Sequence, residues 1–218
     1  KRWSSAMPEL LRALGEAAEV DRAFLVANHL APDGTLLSSL QEAWCREGIP
    51  PLKGRPEGQD VPYGPTGLGR WVETLGRGDV LQGDVEDFPE VERGLLAALG
   101  IVSTLLMPIR ADDDWWGFIG FDTCHARREW GLEEMRLLRI TAEGLSAAIR
   151  RERFEERLRQ SALVFAHTVD SVIIADTESR ILDVNPAFTE ITGYSREEAI
   201  GRKPSLIRSG RQDHNFYR

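Results

Sequence analysis

The sequence predicts an α+β fold: an antiparallel sheet flanked by helices, a long connecting helix, and then a short, incomplete α/β segment. Three observations carry this. Two β-branched and aromatic runs, Ile101 to Ile109 and Trp115 to Thr123, lie either side of a short acidic turn and read as a hairpin. After Trp130-Gly131 the apolar period becomes helical, and no proline interrupts the chain from Ile109 through Asn185. Past His167 the pattern resets to strand, strand, helix, helix.

Taken in order, Leu10, Leu11, Leu14, Ala17 and Ala18 recur at helical spacing and predict a helix over Pro8 to Val20. Arg22 to Leu30 and Thr35 to Trp44 flank Ala31-Pro32-Asp33-Gly34, a tight reversal that makes them a first hairpin. The glycine- and proline-rich stretch from Arg46 to Gly69 is long for a connection and is expected to be a mobile binding loop or lid. Helices are expected at Gly67 to Leu75 and Pro89 to Leu99, with a short strand at Asp79 to Gln82 between them. The hairpin tip Arg110-Ala111-Asp112-Asp113-Asp114 is expected to be a solvated turn, since three adjacent carboxylates cannot converge on one cation. On the long helix, Leu132, Met135, Leu138, Leu145, Ala148 and Ile149 are placed to pack on the sheet. Phe154, Leu158, Ser161 and Phe165 continue at four-three-four spacing in a charged stretch that cannot bury its stripe alone. Ser171 to Asp176 and Arg180 to Val184 are the last strands; Asn185 caps the helix opened by Pro186, and Ser195 with Glu198 has capping-box spacing.

Composition excludes several functions. With 35 acidic against 27 basic residues, the charge of -8 opposes binding to a phosphate backbone, so no nucleic-acid partner is expected. Cys45 and Cys124 lie far apart without metal-ligand spacing, which suits a reducing, cytoplasmic setting and suggests neither a disulfide framework nor a zinc site. No apolar run approaches the roughly 20 residues that span a bilayer, and no leader pattern follows the Lys1-Arg2-Trp3 start. The start without methionine and the interrupted C-terminal pattern lead us to expect a piece of a longer chain.

Ile101-Val102-Ser103-Thr104-Leu105-Leu106-Met107-Pro108-Ile109, then Trp116-Gly117-Phe118-Ile119-Gly120-Phe121-Asp122 and Trp130, resemble the second half of a GAF domain. The resemblance implies a small-molecule sensor and dimerisation module with its ligand between the sheet and the variable connections. Period-two alternation puts Trp116, Phe118 and Gly120 on one face. Trp44, Tyr63, Trp71 and Phe118 are the candidate pocket residues, while Trp116 and Trp130 are read as core. Ile173-Ile174-Ala175-Asp176, Ile181 to Phe188 and Ile191 to Gly201 resemble the first half of a PAS domain, extended by Ser209 to His214 with Phe216-Tyr217, in a form found in bacterial proteins that also carry GGDEF and EAL output domains. The expected organisation is a GAF-like domain over residues 1–150, a signalling helix over 151–168 and an incomplete PAS-like segment over 169–218.

Departures from ligand-bearing relatives narrow the chemistry. Arg202-Lys203-Pro204-Ser205 stands where flavin-adduct PAS domains carry a reactive cysteine, and no cysteine between Cys45 and Cys124 could hold a bilin. The cyclic-nucleotide pattern of other GAF domains is also lacking. His29, His125, His167 and His214 are scattered, no metal site is expected, and no phosphate loop, nucleophile elbow or metalloprotease helix occurs. The chain is therefore expected to be non-enzymatic, with an unidentified small-molecule ligand and no nameable cofactor. Phe154, Leu158 and Phe165 would form a parallel coiled-coil homodimer, relaying to an output domain that makes or degrades cyclic di-GMP, or to a histidine kinase. A ligand-free dimer spacer is the alternative.

Overall fold

The computed structural model describes residues 3–52, 54, 58–112 and 114–207. Lys1-Arg2, Asp113 and the Ser209 to Tyr217 extension lie outside the described residues. By internal contacts the chain forms two units, Lys1–Glu152 and Arg153–Arg218.

The first unit is a six-stranded antiparallel sheet between two helical layers. Its strands are β1 (Arg22–Leu30), β2 (Leu36–Cys45), β3 (Val61–Pro62), β4 (Leu81–Asp84), β5 (Ser103–Ala111) and β6 (Asp114–Thr123), in the spatial order β3-β2-β1-β6-β5-β4. Both expected hairpins are present, β1 with β2 and β5 with β6, and β1 and β6 join them at the centre. On one face lie α1 (Trp3–Ala17) and the first half of α4 (Leu132–His167). Met7 and Leu11 from α1 and Leu138, Ala142, Leu145 and Ile149 from α4 pack there against Leu25, Leu105, Ile109, Ile119 and Phe121. On the other face α2 (Gly69–Arg77) and α3 (Glu90–Ala98) bring Trp71, Leu75 and Leu96 onto Phe24, Leu106 and Phe118.

Several elements begin elsewhere than expected. Helix α1 starts before Pro8 and passes through it, because Met7 and Leu11 are both wholly buried and anchor the turns on either side. Leu132, expected on the sheet, is 72% exposed, since the helix has only just begun there; Met135 packs against the core as expected, and the fully buried stripe runs from Leu138 at four-three-four spacing. The connection after Arg46 is no free lid: Ile49, Leu52, Tyr63 and Leu68 are buried, and β3 within it pairs with Leu37 and Ser38.

Two β-bulges decide which side chains share a face. Leu25 pairs with Glu42 but Val26 pairs with Leu40, so Gln41 is an extra residue in β2. Ile109 pairs with Gly117 but Arg110 pairs with Trp115, so Trp116 is an extra residue in β6. An extra residue reverses the alternation beyond it. Trp116 therefore packs with the α1/α4 core and Phe118 with the α2/α3 core, against the expectation of a shared face.

In the second unit β7 (Ile173–Ala175) and β8 (Ile181–Val184) pair antiparallel, followed by α5 (Pro186–Thr192) and α6 (Arg196–Ala199). Ile181, Val184, Phe188 and Ala199 form its core. Asn185 is its polar hub. Its Oδ1 accepts from Val172 N at 2.9 Å and from Phe188 N at 3.0 Å, while Nδ2 donates to the Asp170 carbonyl at 2.9 Å. Ser195 and Glu198 close the capping box that their spacing predicts, and Gly193 ends α5 in the left-handed conformation.

Candidate functional site

The α2/α3 face of the sheet carries an aromatic cluster, and three of the four candidate pocket residues meet in it. Trp71 stands edge-on to Phe118 with ring centres 5.9 Å apart, and Phe24 meets Phe118 at 6.4 Å. Tyr63 lies 5.3 Å from Trp115, which the bulge at Trp116 turns toward this face. Burial pushes the Tyr63 phenol well above its ordinary value, so it stays a donor, and its hydroxyl donates to Asn28 Oδ1 at 2.7 Å. Asn28 Nδ2 in turn donates to the Trp115 carbonyl at 3.2 Å, which ties the loop residue to two strands.

Trp44 is not part of this cluster. Beyond the bulge at Gln41 it points to the α1 side, where it packs against that core and where a Cβ on Gly15 would collide with its ring. It borders an open groove with Glu16, Glu19, Cys45, Arg46 and Glu47. The expectation that it joins Tyr63, Trp71 and Phe118 is corrected by that one extra residue.

Sequence reasoning also missed Glu92, whose carboxylate is 2% exposed on α3. Trp71 Nε1 donates to its Oε2 at 2.9 Å, and Arg70 donates to both oxygens, at 2.9 and 2.5 Å. Arg70 also lies over the Phe88 ring, 5.1 Å from its centre. A glutamate in the first turn of a helix reads as an exposed dipole partner, so nothing local announced this burial.

A second polar feature crosses the sheet on the same face. Cys45, Arg22, Asp122 and Thr104 are register neighbours on β2, β1, β6 and β5. Arg22 is buried and donates to the Leu99 carbonyl at 2.9 Å and the Pro50 carbonyl at 3.1 Å, clamping two connections to the sheet. Burial pushes Asp122 up to about 7, opposed by the Thr104 hydroxyl and the Arg22 charge. Burial likewise pushes the Cys124 thiol up to about 11, which keeps it from being a thiolate nucleophile at neutral pH.

On the second half of α4, Phe154 and Leu158 are 62% and 54% exposed, and Phe165 is half-buried. An ion pair on that helix joins Arg159 to Glu156, three residues back, at 3.0 Å. Among the described residues no group of three or more His, Cys, Asp or Glu is arranged to hold a metal, and His29 pairs with Asp60 at 2.9 Å. No helix there is long and apolar enough to cross a membrane.

Comparison with known proteins gives the following. The GAF domain family matches residues 3–149 and the PAS fold matches residues 150–218. The chain is 40% identical over 145 residues to the methanogenesis regulatory histidine kinase FilI of Methanothrix harundinacea, covering 66% of this chain and 16% of that protein. An uncharacterized protein of Azorhizobium caulinodans is 27% identical over 205 residues, covering 91% of this chain and 28% of its own. The chain thus spans well under a third of either relative. Among solved structures, the blue-light absorbing form of the PixJ GAF domain of Thermosynechococcus elongatus superposes with a TM-score of 0.61 at 20% identity, covering 75% of this chain and 94% of that one.

Proposed function

Because this chain belongs to the GAF domain family, with a PAS fold behind it, we propose that it is the sensory and dimerisation module of a signal-transduction protein, binding a small molecule in the GAF domain. The observation that carries the reading is helix α4. Its Leu138, Ala142, Leu145 and Ile149 belong to the core of the first unit, and the same helix runs on to His167 in the second. Repacking of that core would reach the PAS segment through one continuous helix. Tyr63, Trp71 and Phe118 are the proposed ligand contacts, and Phe154, Leu158 and Phe165 the proposed parallel homodimer seam. The output domain is proposed to lie outside this chain; the likeness to FilI favours a histidine kinase over the cyclic di-GMP enzyme suggested by the PAS resemblance.

Native mass spectrometry of the protein purified from its own host tests the ligand. The expected result is a retained small molecule that Trp71→Ala releases. A protein with no retained mass, whose melting temperature no metabolite pool raises, overturns the ligand reading. A second reading, a ligand-free dimer spacer, is favoured by one observation: the Trp71 and Phe24 rings both pack on Phe118. A ligand on that face would have to displace them.

A further inference from the structure

We propose a second binding site, for a small apolar α-amino acid, in the cleft where α4 crosses the β4–β5 edge of the sheet. Strand β4 pairs with β5 only from Ser103 to Leu106, so the chain from Met107 onward is not covered by it. The cleft that results holds about 170 Å³ and is lined by Gly78, Val80, Met107 and Arg110 on one side and Arg139, Ala142 and Glu143 of α4 on the other. That is room for roughly six waters at ~30 Å³ each, and is smaller than the ~300 Å³ at which pockets for drug-sized ligands begin. The size suits a short metabolite.

The lining specifies the class. Met107, Val80 and Ala142 make an apolar floor, with Met107 and Ala142 buried. At the mouth stand Arg139 and Glu143, one helical turn apart. On α1 the same arginine-to-glutamate spacing closes into an ion pair, Arg12 with Glu16 at 3.2 Å. On α4 it stays open: Arg139 and Glu143 bond neither each other nor any other described residue. A cation and an anion held apart at the rim of an apolar cleft match the carboxylate and ammonium of a zwitterion, with its aliphatic side chain on the floor. Arg110, the third charge of the lining, donates to the Gly76 carbonyl at 2.6 Å, so a monofunctional acid or amine would leave Arg139 or Glu143 unmatched. The occupant would touch β5 and α4 together, on the face opposite Tyr63 and Trp71, so this inference does not depend on the aromatic-face reading.

The full chain, labelled at its methionine methyl groups, tests the site. Met107 lines the cleft, while Met7 lies in the α1 layer and serves as internal reference. Titration with L-valine is expected to shift the Met107 signal saturably, with isobutyrate and isobutylamine each binding more than tenfold more weakly. Arg139→Gln and Glu143→Gln, both on exposed positions that leave the core intact, are each expected to weaken valine more than tenfold, the loss of one charge-assisted contact. No saturable Met107 shift, shifts unmoved by both substitutions, isobutyrate binding as tightly as valine, or a response confined to the Trp71 indole signal each overturns the proposal.

Discussion

Thr104 Oγ1 donates to Asp122 Oδ1 at 2.7 Å across β5 and β6, while Asp122 Oδ2 finds no partner among the described residues in a site closed to solvent. Folding therefore favours the protonated acid. Between its ordinary value of 3.8 and about 7, the native carboxyl holds a proton that the unfolded chain has released. Stability from this group is complete below that window and is lost as pH rises through it. Asp122→Asn, which keeps the Thr104 acceptor, is expected to flatten the slope and to gain on the order of 1–3 kcal/mol relative to the parent between mildly acidic and mildly alkaline pH. Urea unfolding at both ends of the window checks it.

Gly117 and Gly120 on β6 differ in what a methyl group would meet. At Gly117 it would fall on the Val26 carbonyl oxygen, which belongs to the backbone of β1; at Gly120 it would meet the Phe24 ring, which can rotate. Gly120→Ala is expected to cost about 1–3 kcal/mol, the usual range for overpacking, and Gly117→Ala more than that. Denaturant midpoints of the two variants rank them, and equal costs contradict the assignment of backbone contact.

Trp71 serves two functions, filling the aromatic cluster and donating to Glu92. Trp71→Phe keeps most of the ring and removes the donor, with an expected loss of about 1–3 kcal/mol. Arg70→Ala is expected to cost less, because the Arg70 side chain is 43% exposed and its Coulombic gain is screened. Thermal unfolding of both variants, with Glu92→Gln as the common reference, separates the neutral donor from the charged one.

The exposed Phe154 and Leu158 predict self-association through α4. Sedimentation equilibrium is expected to give a dimer for the native chain and a monomer for the variant carrying both Phe154→Glu and Leu158→Glu. The far-ultraviolet dichroism of that variant is expected to keep the signal of the first unit, since the two substitutions lie outside it.

Much of this architecture is legible in the sequence. Both hairpins, the long helix and the caps at Asn185 and Ser195 follow from periodicity and local hydrogen bonding, which short windows of sequence contain. The candidate site is legible only in part, for a specific physical reason. Strand alternation is exact until a bulge interrupts it; Gly117 beside Trp116 is the kind of glycine that often marks one, but none stands beside Gln41. Trp44 is therefore misassigned while Phe118, read on the near side of its bulge, is placed with Trp71. Glu92 and Asp122 are invisible for a different reason, since their burial is conferred by Trp71, Arg70, Thr104 and Arg22 from distant parts of the chain.

The bulge at Gln41 also gives this sheet an uneven tolerance of insertions and deletions. In the turn between β1 and β2, losing a residue would shorten an exposed connection. At position 41, deleting a single codon would remove the extra residue and leave Glu42, Ala43 and Trp44 opposite Leu25, Phe24 and Ala23, on the faces they already occupy. Deleting Ala43 instead would set either Glu42 or Trp44 opposite Phe24, bringing a charge among buried aromatic rings or leaving a hollow beside Gly15 on α1. One residue of length is thus expendable at one point of β2 and disruptive two positions further on.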